Sequence, residues 1–219
     1  MNVLLLSPHT DDIELGAGGT LIKLLEDKNN SFCWVVFAMC EDAVPEGLPP
    51  DTLKKEFTSV ADRLGVEKLQ LYNIPNTDFV HHRQEILSAL DKTKKEFEPH
   101  LVIMPALSDP HQDHRTIAEE VQRVFKRDVS IIGYEIRRRK SGFNPQLFVR
   151  LTEKQIEEKW RILSLYKSQF ILKRNYFTKE FIFSWARMRG AQCDSPYAEA
   201  FEAVRWKIPQ SSLEVLRHL

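Results

Sequence analysis

The sequence V-L-L-L-S-P-H-T-D-D at residues 3–12 decides the fold of this chain. Its first part, Val3–Leu6, is a continuous apolar run, which is typical of a strand buried on both faces of a parallel sheet. The polar residues His9–Asp12 would then lie at the carboxyl end of that strand, where open α/β sheets bind ligands. The same arrangement recurs at Leu101–Met104, an apolar run followed by the cluster His111–His114. The sequence therefore predicts two neighbouring groups of histidine and carboxylate side chains.

Predicted strands and helices alternate along the chain. This alternation predicts one α/β domain over residues 1–219, with a Rossmann-like, mostly parallel sheet, helices on both faces and an active site at the strand carboxyl ends. The pattern weakens after residue 136, and the aromatic-rich C-terminal segment has no assignment. The predicted strands are residues 3–6, 32–39, 68–72, 101–104, 129–136 and 147–149, and the predicted helices are 15–28, 53–64, 85–97, 116–125 and 153–166.

Composition narrows the classes of function. The 219 residues include 31 basic and 31 acidic side chains, so no net charge draws the chain toward nucleic acid or an anionic membrane. The N-terminus is the first strand itself, and no apolar stretch approaches the ~18 residues of a membrane span. Three cysteines leave an odd thiol under any pairing, which suits a reducing compartment. We predict a cytoplasmic protein without nucleic-acid or membrane partners. The cysteines are Cys33, Cys40 and Cys193.

The ligand types predict a metal site. His9 and Asp12 are three residues apart and can turn toward one point, and His114 can bring a second imidazole from the neighbouring strand end. Two imidazoles and one carboxylate are a ligand set used by catalytic zinc, although Fe(II) could occupy it in cells. Such sites keep a fourth position open for water and lower the pKa of that water toward neutrality.

The remaining polar residues of the two clusters have predicted roles in catalysis. Asp11 is the candidate general base, since adjacent aspartates cannot both face one metal easily. His111, as a protonated imidazole, could stabilise the oxyanion or protonate the leaving amine, with Asp113 fixing its orientation. A purely structural interpretation is also open, because adjacent aspartates often cap a helix and Asp109-Pro110 is a common turn opener. The joint occurrence of the clusters favours the metal site.

Two further stretches have alternative interpretations. Residues Gly16–Thr20 do not match a dinucleotide fingerprint, because Leu21 stands where its third glycine would fall. We interpret this stretch as a tight backbone turn into the helix. The basic run Arg137–Lys140 either meets a phosphate or nucleotide on the substrate or forms a solvated loop, and we favour the solvated loop. RNA binding is disfavoured there, because no aromatic residues are interleaved with the charges.

These motifs resemble those of the PIG-L/LmbE-like zinc-dependent N-acetylglucosamine deacetylases, in particular the bacterial sugar and bacillithiol-pathway branch. That family carries P-H-P-D-D followed by G-G, which Pro8–Asp12 and Gly18–Thr20 match except that Thr10 replaces a proline. It also carries H-P-D-H, which His111–His114 matches except at its proline position. The resemblance implies an LmbE-like fold and a homo-oligomer. It further implies zinc ligands His9, Asp12 and His114, a general base Asp11, and an electrostatic role for His111 with Asp113 behind it.

The implied reaction is hydrolysis of the acetamide of an N-acetylated amino sugar, which releases acetate and a free amine. A metal-dependent amidase on a non-sugar N-acyl substrate and a nucleotide-sugar binding protein without catalysis are the alternatives. Weaker similarity extends to Tyr166–Gln169, Arg189-Gly190 and Tyr197–Phe201. Many relatives also carry a substrate-contacting arginine shortly before the residue that matches Glu56, but this chain has Leu53-Lys54-Lys55 there. The residue that anchors the substrate is therefore unassigned.

Overall fold

The computed structural model describes residues 1–127, 129–136 and 142–207, which form seven strands and seven α-helices within these ranges. The strands are β1 (Asn2–Ser7), β2 (Ser31–Val36), β3 (Lys68–Leu71), β4 (Leu101–Pro105), β5 (Ser130–Tyr134), β6 (Leu147–Leu151) and β7 (Tyr197–Arg205). The helices are α1 (Asp12–Leu25), α2 (Thr52–Leu64), α3 (Arg83–Phe97), α4 (Gln112–Val124), α5 (Glu153–Leu163), α6 (Lys167–Ile171) and α7 (Lys179–Ala191). Short 3-10 helices cover Glu41–Ala43 and Phe79–His82.

The strands form one sheet in the order β3-β2-β1-β4-β5-β7-β6. Strands β1 to β5 pair in parallel, and β7 runs antiparallel to both of its neighbours. β1 and β4 are adjacent, with Val3 opposite Leu101. From these two central strands the chain winds outward in opposite directions, so their carboxyl ends form a topological switch point. The predicted fold class is confirmed.

Helices cover both faces of the sheet, which explains the continuous apolar runs. In β1, Val3 and Leu5 belong to a core shared with α1, α5 and α7. Leu4 and Leu6 point the other way, into a core shared with α3 and α4. All four side chains are fully buried. Successive strand residues face opposite sides, so a central strand of this sheet needs apolar residues at every position.

The glycine-rich stretch has a different role from the predicted one. Helix α1 already begins at Asp12, so these glycines lie inside the helix and not in a turn before it. A Cβ atom on Gly16 would lie 2.4 Å from a ring carbon of Tyr134, and one on Gly19 would lie 2.4 Å from a methyl carbon of Leu151. The glycines are therefore required by the close approach of α1 to β5 and β6.

The C-terminal part contains structure that the sequence pattern did not reveal. The predicted helix 153–166 ends at Leu163, and α6, α7 and β7 follow it. β7 inserts between β5 and β6 and extends the sheet. The basic run Arg137–Lys140 lies outside the described residues. Within the described residues, no helix is both long and apolar enough to cross a membrane.

Candidate metal centre

Two segments meet at the switch point and surround a cavity of about 380 Å³. Each consists of the loop after a strand and the first turn of the next helix: the first loop follows β1 and includes the start of α1, and the second loop follows β4 and includes the start of α4. His9 and Asp11 line it from the first loop, and His111 and His114 line it from the second. β1 and β4 are hydrogen-bonded neighbours. Two clusters that are about a hundred residues apart in the sequence therefore share one cavity.

The three predicted metal ligands converge on one point. The Nδ1 atom of His9 lies 3.0 Å from Oδ2 of Asp12. The Nε2 atom of His114 lies 3.3 Å from the same oxygen and 3.3 Å from Nδ1 of His9. All three side chains are buried. This is the donor set predicted for a catalytic zinc ion.

Carboxylates on the far side of each imidazole fix its tautomer. Nε2 of His9 donates to Oδ2 of Asp113 at 3.0 Å, and Nδ1 of His114 donates to Oδ2 of Asp109 at 2.9 Å. In a neutral imidazole the other nitrogen is then an acceptor. These two acceptor nitrogens, Nδ1 of His9 and Nε2 of His114, both face Oδ2 of Asp12. In these tautomers three acceptor atoms therefore meet at one point, and none of them carries a proton to donate. Such a point could hold a cation, and the carboxylate–histidine pairs are those expected behind metal-binding histidines.

The neighbouring carboxylates favour protonation of the ligand histidines, so protons and a metal ion would compete for this site. Burial opposes the charged form of His114, but Asp12 and Asp109 raise the pKa of this histidine to about 10. Burial likewise favours the neutral form of Asp12, yet His114 and His9 hold the pKa of this carboxyl well below its usual range. A metal must displace the histidine protons, so its affinity should fall as the pH falls.

Asp113 lies behind His9, whereas the sequence analysis placed it behind His111. Besides the His9 bond, its Oδ2 atom accepts the backbone N–H of Thr77 at 2.8 Å. The same oxygen is 4.0 Å from Nδ1 of His111, beyond hydrogen-bond distance. Asp113 therefore orients a predicted metal ligand, and the expected contact with the catalytic histidine is corrected.

Asp109 is a site residue that the sequence analysis missed. It was interpreted only as a turn opener, and its Oδ1 atom does accept the backbone N–H of His111 at 2.8 Å. Its other oxygen holds His114. One carboxylate thus both forms the turn and orients a ligand. The available signal was a second carboxylate, besides Asp113, close in sequence to the two histidines of the same cluster.

The surroundings of His111 favour a neutral imidazole near pH 7 over the predicted imidazolium. It is the N-cap residue of α4, and its Nδ1 atom accepts the backbone N–H of Asp113 at 3.2 Å. The proton of the neutral ring is then on Nε2. Burial, followed by repulsion from His114 and His9, lowers the pKa of His111 to about 4. His111 can still donate a hydrogen bond into the cavity, but as a neutral group.

Asp11 and Asp12 occupy different environments despite being adjacent. Asp12 belongs to the converging ligand group, whereas Asp11 lies on the cavity wall. Asp11 is the N-cap residue of α1, but its side chain does not cap the helix, and only 6% of the residue is exposed. This placement suits the predicted division between a base and a ligand.

Tyr166 supports the first loop from behind. Its hydroxyl group contacts both the carbonyl oxygen of Thr10 and the carboxyl group of Glu14. Burial raises the pKa of Glu14 well above its usual range. A protonated Glu14 can donate to the tyrosine oxygen, which leaves the tyrosine proton for Thr10.

Two residues after Tyr166, Ser168 donates to Glu56 through its N–H at 2.9 Å and its hydroxyl at 2.6 Å.

His9, His111 and Asp113 form a second group that could hold a cation. His111 is partly exposed, and Asp113 already accepts hydrogen bonds from His9 and Thr77. Because Nε2 of His9 is bonded to Asp113, only its Nδ1 nitrogen can bind a cation, and this nitrogen serves only one of the two groups. The buried group with Asp12 and His114, whose imidazoles are both oriented by carboxylates, is therefore the better metal site.

Comparison with known proteins agrees with the fold and identifies the family. Residues 4–125 match the family described as PIG-L, GlcNAc-PI de-N-acetylase. This match covers more than half of the chain and both clusters. It supports a hydrolytic N-deacetylase that acts on a sugar-type substrate.

Solved structures share the same fold at low sequence identity. N,N'-diacetylchitobiose deacetylase from Pyrococcus horikoshii has a TM-score of 0.72 at 22% identity, covering 92% of this chain and 82% of that chain. The zinc-inhibited form of teicoplanin deacetylase Orf2 has a TM-score of 0.74 at 18% identity, covering 92% and 97%. The 4-carboxy-2-hydroxymuconate hydratase of Pseudomonas putida KT2440 has a TM-score of 0.74 at 18% identity, covering 95% and 98%. Since the hydratase catalyses a different reaction, the site must decide the chemistry.

Proposed function

We propose that this chain, which belongs to the PIG-L family of GlcNAc-PI de-N-acetylases, is a zinc-dependent hydrolase. Its substrate is an N-acetylated amino sugar of the N-acetylglucosamine type, as a conjugate or a nucleotide-linked sugar, and its products are acetate and the free amine. The observation that carries the proposal is the convergence of three lone pairs, from His9, Asp12 and His114, beside Asp11 in one cavity.

The ligand residues fit zinc, and Fe(II) suits the same set. When bound, the metal polarises a carbonyl group as a Lewis acid and lowers the pKa of a water molecule toward neutrality. Asp113 and Asp109 hold His9 and His114 in the tautomers that this ligand set requires.

The other residues of the cavity move the protons and stabilise the developing charge. Asp11 accepts a proton from the attacking water as the new C–O bond forms at the acetamide carbon. The Nε2–H group of His111 donates a hydrogen bond to the carbonyl oxygen as negative charge develops there. Asp11 then returns the proton to the nitrogen while the C–N bond breaks. Acetic acid and the neutral amine are the immediate products, and transfer of the remaining proton between them gives acetate and an ammonium group, so atoms and charge balance.

An amine-release screen tests this proposal. The zinc-loaded protein is incubated with N-acetylglucosamine, N,N'-diacetylchitobiose, uridine-diphosphate N-acetylglucosamine and N-acetyl-lysine. We expect primary amine from at least one sugar, no release after chelation, and recovery on adding zinc. Release from N-acetyl-lysine alone would favour the amidase alternative. Binding of the nucleotide sugar without release by any metal-loaded form would favour the binding protein.

The prediction of one domain over residues 1–219 belongs to this proposal. So do a homo-oligomeric state, a cytoplasmic location and the lack of a nucleic-acid partner.

A further inference from the structure

The residues that line the cavity differ in charge. They include histidines and carboxylates of the candidate metal centre. Arg174, in the loop between α6 and α7, lines the same cavity. Among the lining residues in the described part of the chain, it alone carries a permanent positive charge.

The backbone of Arg174 is held in place. Its carbonyl oxygen accepts the N–H of Phe177 at 2.9 Å, which closes a turn. Phe177 is buried, and its ring lies edge-on to Phe170 at 5.6 Å and to Tyr166 at 6.5 Å between centroids. Tyr166 also contacts Thr10 beside Asp11. The turn that carries Arg174 and the loop that carries the base are therefore anchored to one tyrosine.

The guanidinium group of Arg174 is available to a ligand. It lies 5.8 Å from the centroid of the Tyr176 ring, and within residues 1–127, 129–136 and 142–207 it makes no side-chain hydrogen bond or ion pair. Arg189 shows the contrast, since its guanidinium group binds Glu135 through two nitrogens at 2.9 and 2.7 Å. An aromatic ring can orient a guanidinium group while leaving its N–H edge free for an oxyanion.

Within the described residues, the cavity lining includes no second permanent cation. The lining also includes the apolar side chains of Leu53 and Ala43, together with Cys40. The neighbouring Lys54 and Lys55 are exposed and do not line the cavity, and Lys55 pairs with Asp51 at 2.8 Å. Arg174 is therefore the one permanent cation in the described lining of the cavity.

We propose that Arg174 is a specificity-determining residue that binds an anionic group, a carboxylate or a phosphate, on the part of the substrate remote from the acetamide. This inference rests on the proposed function and narrows its substrate class to N-acetylated amino sugars with an anionic aglycone or sugar phosphate. The planar guanidinium fork suits two oxygens of either anion.

Matched glycosides test the assignment. The probes are carboxymethyl N-acetylglucosaminide, its uncharged carboxamide analogue and N-acetylglucosamine 1-phosphate, used with the zinc-loaded protein. We expect wild type to prefer one of the anions over the carboxamide by roughly tenfold or more in kcat/KM, mainly through KM. Arg174→Gln should abolish this ratio, and Arg174→Lys should retain part of it. The comparison of the two anions identifies the preferred group.

Lys173→Gln is the matched control, because it removes a neighbouring positive charge that does not line the cavity. It should keep the wild-type preference. The proposal is overturned if Arg174→Gln keeps the preference, if Lys173→Gln loses it equally, or if wild type has none. Calorimetric binding of the three probes to zinc-loaded Asp11→Asn gives the same ratio without turnover. A protein that binds the anionic probes through Arg174 but never releases amine would contradict the proposed hydrolysis and leave the Arg174 assignment standing.

Discussion

The loop after β1 and the loop after β4 bring the same residue types to one cavity but use their carboxylates differently. In the first loop, Asp12 faces the two ligand imidazoles and Asp11 lines the cavity. In the second loop, Asp109 and Asp113 lie behind the imidazoles and accept their outer N–H groups. The carboxylates after β1 are therefore the proposed ligand and base, whereas the carboxylates after β4 orient the imidazoles.

The difference has a local cause. Asp12 opens helix α1 only three residues after His9, so its carboxylate reaches both the N–H and the Nδ1 of that histidine. In the second loop, His111 occupies the N-cap position, and the carboxylate of Asp113 turns away from it toward His9. Two short motifs of histidine and aspartate thus specify the composition of the site, while the geometry of the helix start decides which of their atoms converge.

The largest expected effects come from the first loop. Asp12→Ala should lose zinc and all measurable turnover, because it leaves two imidazoles without their shared carboxylate. Asp11→Asn should keep zinc yet lose roughly 10²–10⁴-fold in kcat, since no group accepts the water proton. Zinc content by elemental analysis and kcat on the best sugar substrate test both variants. Equal loss of zinc in the two variants would contradict the division of labour between the aspartates.

The next effect concerns the two histidines of the second loop. His114→Ala should weaken zinc binding severely, whereas His111→Ala should keep zinc and lose about 10²–10³-fold in kcat, the usual cost of one oxyanion donor. The pKa of His111 is about 4, so His111 stays neutral as the pH rises from 6 to 9. The alkaline limb of the kcat/KM profile should therefore survive in His111→Ala. Loss of that limb together with zinc retention would restore a cationic role.

The strands that could be predicted are those whose local sequence pattern alone identifies them. β1 and β4 follow from runs whose residues are all apolar, and the structure places them within a residue or two. β7 was missed because it contains a buried charge, Glu199, which pairs with Lys159 at 2.6 Å and accepts the N–H of Gly19 at 2.9 Å. These partners lie far away in the sequence, and no local period signals them.

The same limit applied to the site. Short spacing was enough to group His9 with Asp12, because three residues at a helix start can face one point. The partner of Asp113 could not be read this way, since its carboxylate is fixed by the Thr77 backbone 36 residues away as well as by His9. Sequence spacing suggested His111, its nearest histidine, whereas the tertiary contacts selected another.

The smallest effect, and the sharpest test of the comparison, concerns the orienting carboxylates. Asp113→Asn and Asp109→Asn should each weaken zinc affinity or activity by roughly 10–100-fold, because the amide accepts less strongly from the ligand imidazole. The effect of Asp113→Asn should largely disappear in a His9→Ala background and persist in His111→Ala, since its partner is His9. Asp109→Asn should couple instead to His114. Zinc affinity by competition with a chelator measures each double-mutant cycle. Strong coupling of Asp113 to His111, with none to His9, would contradict this result and support the orientation of His111 by Asp113 that the sequence predicts.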